Sequence, residues 1–266
     1  MPDPYLFAGD RGIAVTALRY LIEREDPPAV LCISDRDSAS HAAELREVFQ
    51  AAGGEAVITG SDLRSPDTVE WLKGLNLSFG LSVHFPDLVR RPALRAPRRG
   101  WLNLHPAYLP YNRGWHTPSW AILEQTPSGA TLHEMAEAVD AGAIVAQREV
   151  PVSPGDTAHT LYQRLLDVEV DLLLATWPAL RGPEPWATIE NNPDEGTVHH
   201  SRELSEPTVR ELDLDRSTTA RQVLDHLRAL TTDRWSEAAE FETDGRRFRV
   251  RVEFQEVEEA GDRTLT

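Results

Sequence analysis

Asn103 and His105 flank Leu104 in the run Gly100-Trp101-Leu102-Asn103-Leu104-His105-Pro106. Two residues apart in an extended segment, an amide and an imidazole project from one face. Side by side, both can donate to an oxygen that gains negative charge during a reaction. Pro106 ends the strand and leaves the polar pair at its carboxyl edge. Further on, Thr131 and His133 alternate in Gly129-Ala130-Thr131-Leu132-His133, and a carboxylate follows in Asp140-Ala141-Gly142. His133 reads equally as a lining residue or a structural histidine. The bland alternative for the whole set is an Asn-x-His that caps the next turn. Glu134, Glu137 and Asp140 are simpler as a solvated helix face plus one working carboxylate than as a metal site. Cys32 is the single cysteine, so an internal disulfide and a multi-cysteine zinc site are excluded. No metal is expected.

The elements that must position these residues alternate. Strands are expected at 5–8, 29–33, 56–58 and 77–85, and helices at 13–23, 40–52 (capped by Ser40) and from Pro66 through Leu72. The order β-α-β-α-β-α-β predicts an α/β fold, a Rossmann-like doubly wound parallel sheet. Such sheets bind ligands beyond the carboxyl ends of their strands, where Asn103 and His105 fall. Gly9-Asp10-Arg11-Gly12 is not the GxGxxG fingerprint, so a nicotinamide cofactor is not supported. A long helix is expected from Ala158 to Trp177, opened by Thr157. Residues 1–182 read as the catalytic domain and 183–204, rich in Pro, Asn, Asp and Glu, as a linker holding the pair His199-His200. Residues 205–266 read as a small α+β C-terminal subdomain: a helix capped at Ser217-Thr218, then a hairpin around Asp244-Gly245. Its expected role is a lid or dimer element, with a frayed acidic tail from Gln255 onward.

The ordered set Asn103-x-His105-Pro106, Leu109-Pro110, Gly114, Gly129-x-Thr131-x-His133 and Asp140-x-Gly142 resembles the family of formyltransferases that use N10-formyltetrahydrofolate. The resemblance implies that fold over roughly residues 1–180. It also implies a catalytic trio of Asn103, His105 and Asp140, and N10-formyltetrahydrofolate as co-substrate without a metal. It implies a pterin pocket built by Ser82, Val83, His84 and Phe85 and by the loop carrying Val139, read mostly by backbone groups, with His84 and Phe85 equally able to pack in the core. Tyr111-Asn112-Arg113-Gly114 followed by Trp115 is most similar to the nucleotide-sugar branch and is the expected acceptor loop. Arg113 would bind a diphosphate or, equally, pair with a carboxylate and fix the loop. Gly114-Trp115-His116-Thr117 also resembles the glycinamide ribonucleotide transformylase loop. Other amine acceptors, methionyl-tRNA among them, and a non-catalytic folate-binding relative stay open.

Composition narrows the partners. Asp and Glu number 43 against 27 Lys and Arg, a formal charge of −16, and Lys73 is the single lysine. That charge opposes binding to DNA, and disfavours tRNA, because phosphate contacts need clustered cations. No apolar run is long enough to span a membrane, and Met1-Pro2-Asp3-Pro4 does not open a secretory signal. A cytoplasmic enzyme acting on a small molecule is expected, with a homodimer as one assembly that the C-terminal element would serve.

Overall fold

The apolar segments are the strands of one sheet. In the computed structural model, which describes residues 3–257, β1 (Leu6–Gly9), β2 (Val30–Ile33), β3 (Ala56–Thr59), β4 (Gly80–Val83) and β5 (Trp101–His105) alternate with helices. These are α1 (Arg11–Glu23), α2 (Ala42–Ala51), α3 (Pro66–Gly74) and the short α4 (Arg91–Leu94). The five strands are parallel and ordered β3-β2-β1-β4-β5. The order reverses between β1 and β4, the switch point at which doubly wound sheets open their ligand crevice. Ser82 of β4 stands beside Asn103 of β5 in the register.

Alternation along the strands divides the core. Tyr5, Phe7, Leu31, Phe79 and Leu81 pack with Leu18 and Leu21 of α1 on one face. Leu6, Ala8, Val30 and Cys32 pack with Val69 and Leu72 of α3 and with Trp101 on the other. Both faces are covered, which is why these strands read as unbroken apolar runs. Cys32 is a buried free thiol.

The sheet is mixed, not purely parallel. After β5 the chain forms β6 (Arg113–Gly114) and α5 (Thr117–Glu124), then returns as β7 (Gly129–Glu134) and β8 (Ile144–Glu149). β7 runs antiparallel to β5, and β8 antiparallel to β7. An antiparallel return needs no crossover to the far edge. It also sets His133 opposite Asn103 and Thr131 opposite His105. α6 (Ala158–Leu180) opens with a reciprocal capping box between Thr157 and Thr160.

Other details shift. Ser40 does not cap α2: its backbone N–H, like that of His41, donates to the Asp10 carboxylate, at 3.0 and 3.3 Å. Residues 183–204 do not hang free. Ile189 pairs with Ile144, and β9 (Val198–His199) runs parallel to β6. Beyond them come α7 (Pro207–Arg210), α8 (Ala220–Ala229) and the hairpin β10 (Ala239–Thr243) and β11 (Arg246–Val250). Thr219, bonded reciprocally with Gln222, caps α8 in place of Ser217-Thr218. Asp244 and Gly245 both take positive φ, 49° and 67°, as a tight two-residue hairpin turn requires. Leu204, Leu230 and Ala239 share a small core with Trp120 of α5, so this unit is docked on the first. From residue 258, the tail expected to fray lies outside the described residues. No helix among the described residues is long and apolar enough to cross a membrane.

Candidate active site

The carboxyl edge of β5 brings Asn103, His105 and Asp140 together. Asp140 Oδ2 is 3.4 Å from His105 Nε2, and Asp140 Oδ1 is 3.4 Å from the Asn103 amide nitrogen. The backbone N–H of Gly114 donates to Asp140 Oδ2 at 2.9 Å. His133, opposite Asn103 on β7, completes the group. Its Nδ1 lies 2.8 Å from the Glu134 carbonyl, and its Nε2 faces Asp140 Oδ1 at 3.4 Å and the Asn103 amide at 3.3 Å. Ser82 donates to Asn103 Oδ1 at 2.8 Å, which turns the amide nitrogen toward Asp140 and His133. His105 Nε2 is buried and has no hydrogen-bond partner among the described residues. A buried polar nitrogen left this way is expensive unless a ligand meets it.

Burial and neighbours set the charges. Burial drives the His105 imidazole down to about 4; Asp140 pulls the other way but does not offset it. Burial alone would raise the Asp140 carboxyl, but His105, His133 and the Gly114 N–H outweigh it and hold the carboxyl below its usual range. At neutral pH the pair is a neutral imidazole beside a carboxylate. Protonation of His105 is complete only below about pH 4 and is lost as pH rises through that value. In carbon-13-labelled protein, the His105 Cε1 signal should therefore titrate with a midpoint near 4. A midpoint near the ordinary histidine value of about 6.5 would contradict this charge state.

The loop after β5 is held from behind. Thr131 Oγ1 donates to the Ala107 carbonyl at 2.6 Å and accepts from the Leu109 N–H at 3.2 Å. Gln147 of β8 donates to the Leu109 carbonyl at 2.7 Å. The sequence held no local sign of Gln147, because its partner is 38 residues away. Gly142 is closely built around: a Cβ there would strike the backbone carbonyl of Glu134.

The other expected site residues fare unevenly. The Val83 side chain lies in the core, and the Ser82 hydroxyl donates to Asn103. Phe85 packs partly buried against the second core layer. His84 turns away to Glu169 of α6, its Nε2 2.9 Å from each carboxylate oxygen, with the Tyr162 hydroxyl 3.3 Å from Nδ1. Val139 is exposed beside Asp140. In the acceptor loop, Asn112 is buried and donates to Thr126 Oγ1 at 2.7 Å. Among the described residues Arg113 pairs with no carboxylate; its guanidinium donates to the carbonyls of Pro193 at 3.1 Å and Val139 at 3.5 Å. Tyr111 is half-buried and Trp115 is exposed. His199 is no idle linker residue: its ring stacks on Trp120 at 3.9 Å between centroids.

An amide, two imidazoles and a partly buried carboxylate meet beyond the edge of this Rossmann-like, switch-point sheet. The chain belongs to the formyl transferase family, whose model matches residues 18–176. A second model, the N-formyltransferase dimerization C-terminal domain, matches residues 207–256. The chain is 32% identical to a dTDP-4-amino-4,6-dideoxyglucose formyltransferase of Mycobacterium tuberculosis, over 70% of this chain and 78% of that protein. It is 30% identical to a methionyl-tRNA formyltransferase of Sorangium cellulosum, over 85% of this chain and 72% of that protein. Its fold is shared with an N-formyltransferase from Helicobacter canadensis solved with folinic acid and dTDP-3-aminofucose. The TM-score there is 0.68 at 17% identity, covering 91% of this chain and 85% of that one.

Proposed function

We propose that this chain transfers the formyl group of N10-formyltetrahydrofolate to the amine of a nucleotide-linked amino sugar. The observation that carries the reading is the buried His105 Nε2, which has no hydrogen-bond partner among the described residues, beside an Asp140 carboxylate that also faces the Asn103 amide. It fits a formyl group: the carbonyl needs donors where its oxygen charges, and the attacking amine needs somewhere for its proton to go.

The neutral amine attacks the formyl carbon and forms a C–N bond, and the carbonyl pair moves onto oxygen. Asn103 and His105 stabilise that oxyanion. Asp140 orients His105 and stabilises its cationic form. The C–N10 bond then breaks, and the proton shed by the amine passes through His105, Asp140 or water to N10. No covalent enzyme intermediate is needed. The pterin is read by the backbone of Val83, His84 and Phe85 and by the turn at Val139, since the side chains of Ser82, Val83 and His84 are committed elsewhere. Tyr111 and Trp115 cover the acceptor, whereas Asn112 and Arg113 hold the loop that carries them, with Gly114 tied to Asp140. The C-terminal unit would join two copies of the chain, as its matched domain description implies.

The relative that acts on methionyl-tRNA keeps one rival reading open. The net charge of −16 weighs against it, because the phosphate contacts of tRNA binding require clustered cations. Purified protein given N10-formyltetrahydrofolate and a panel of amino-deoxyhexose nucleotides, glycinamide ribonucleotide and charged initiator tRNA should formylate a sugar nucleotide and leave the tRNA unmodified. Formylated tRNA without sugar product would overturn the acceptor assignment.

A further inference from the structure

Asp140 adopts a left-handed backbone, with φ 48°. A residue with a Cβ holds that conformation only when its surroundings enforce it. Part of the enforcement comes from residues 177–206, between the two segments that the family models match. Asn191 is buried there, and its Nδ2 donates to the backbone carbonyls of Asp140 and Gly142, each at 2.9 Å. One side-chain amide thus bridges both ends of the turn that presents the carboxylate, and both of its N–H groups are used.

The same segment is pinned on either side of Asn191. Ile189 exchanges two backbone hydrogen bonds of 2.9 Å with Ile144, the first residue of β8. The Arg113 N–H donates to the Thr197 carbonyl and the Trp115 N–H to the His199 carbonyl, both at 3.0 Å. These bonds bracket Gly114, whose N–H holds the Asp140 carboxylate. His199 anchors the far end: Nε2 is 3.1 Å from Glu124 Oε1, and Nδ1 is 3.1 Å from Glu203 Oε2.

We propose that Asn191 is a positioning residue for formyl transfer, holding the Asp140–Gly142 turn so that the carboxylate meets His105. This rests on the formyltransferase reading of the site. A displacement of the carboxylate by about an ångström is enough to cost a large factor in rate.

The test is a cycle of Asn191→Ala and Asp140→Asn, singly and together, in the full chain. Asn191→Ala should lower single-turnover kcat by about tenfold or more. Affinity for 5-formyltetrahydrofolate, measured by calorimetry, should change far less. In the Asp140→Asn background the same substitution should add almost nothing, because residues that act through one another are not additive. If the alanine variant fails to fold, Asn191→Leu, similar in size, uncharged and unable to donate to either carbonyl, replaces it. Full additivity, or an unchanged kcat, would overturn the proposal.

A readout independent of turnover accompanies the kinetics. At neutral pH the His105 Cε1 NMR signal should move in Asn191→Ala in the same direction as in Asp140→Asn. If the wild-type chain formylates no acceptor, the functional reading fails, and this comparison still decides the matter: an unmoved signal overturns the role given to Asn191.

Discussion

Replacing His105 by asparagine should lower turnover by about 100- to 1000-fold while the protein stays folded. The ring is buried, its Nε2 meets no hydrogen-bond partner among the described residues, and it faces the Asp140 carboxylate at 3.4 Å. Asparagine keeps a polar group near that place but cannot take up a proton. Asp140→Asn should fall in the same range, because the carboxylate that stabilises a cationic imidazole becomes neutral. Asn103→Ala removes the amide that Ser82 aims at the site and should cost a similar factor. The three groups share one small space, so a double variant should be little worse than the worse single one. Single-turnover rates, with circular dichroism and thermal melts to verify folding, provide the measurement. Near-normal rates in three folded variants would leave the trio without a role in the chemistry.

What was legible in the sequence was local. The i, i+2 spacing of Asn103 and His105 places both on one face wherever the strand lies, and Pro106 fixes the edge at which they emerge. The apolar runs at Leu6, Val30 and Gly80 announce strands buried on both faces, and Asp244-Gly245 announces its hairpin. Features that depend on distant pairing were hidden. Nothing near Gly129 says that β7 runs back along β5, and only that direction makes His133 a neighbour of Asn103. Ser82 enters the expected pterin pocket only through the family resemblance. Its partnership with Asn103 exists only through the β4–β5 register. The sequence of the loop offers Arg113 as a diphosphate fork or half of an ion pair. Its acceptors are backbone carbonyls, one of them 80 residues away, and no side-chain pattern encodes a carbonyl. The segment 183–204 has the composition of a linker because its job is done mostly by backbone pairing. Asn191 and His199, the side chains that matter there, are of types common in any loop.

Gly114→Ala should lower turnover by about 100-fold or more, although one methyl group is all it adds. Gly114 has φ 94°, a region open to glycine and costly for residues with a Cβ. The added Cβ would also fall far inside contact distance of the His199 carbonyl oxygen on β9. That atom is backbone and cannot rotate aside. Either β9 separates from β6 or residues 113–115 turn, and both movements carry the Gly114 N–H away from Asp140 Oδ2, now 2.9 Å distant. The carboxylate then loses this backbone donor and its alignment with His105. Gly100→Ala is the matched control. Gly100 also has positive φ, 74°, but nothing lies within 4 Å of its virtual Cβ, and it precedes β5 at the end opposite His105. That variant carries the backbone penalty alone, about 1–2 kcal/mol, and should melt earlier with a rate close to wild type. Equal rates in the two variants would show that the β6–β9 contact does not set the position of Asp140. A slow Gly114→Ala beside a fast Gly100→Ala, at comparable stability, would trace the loss to that contact.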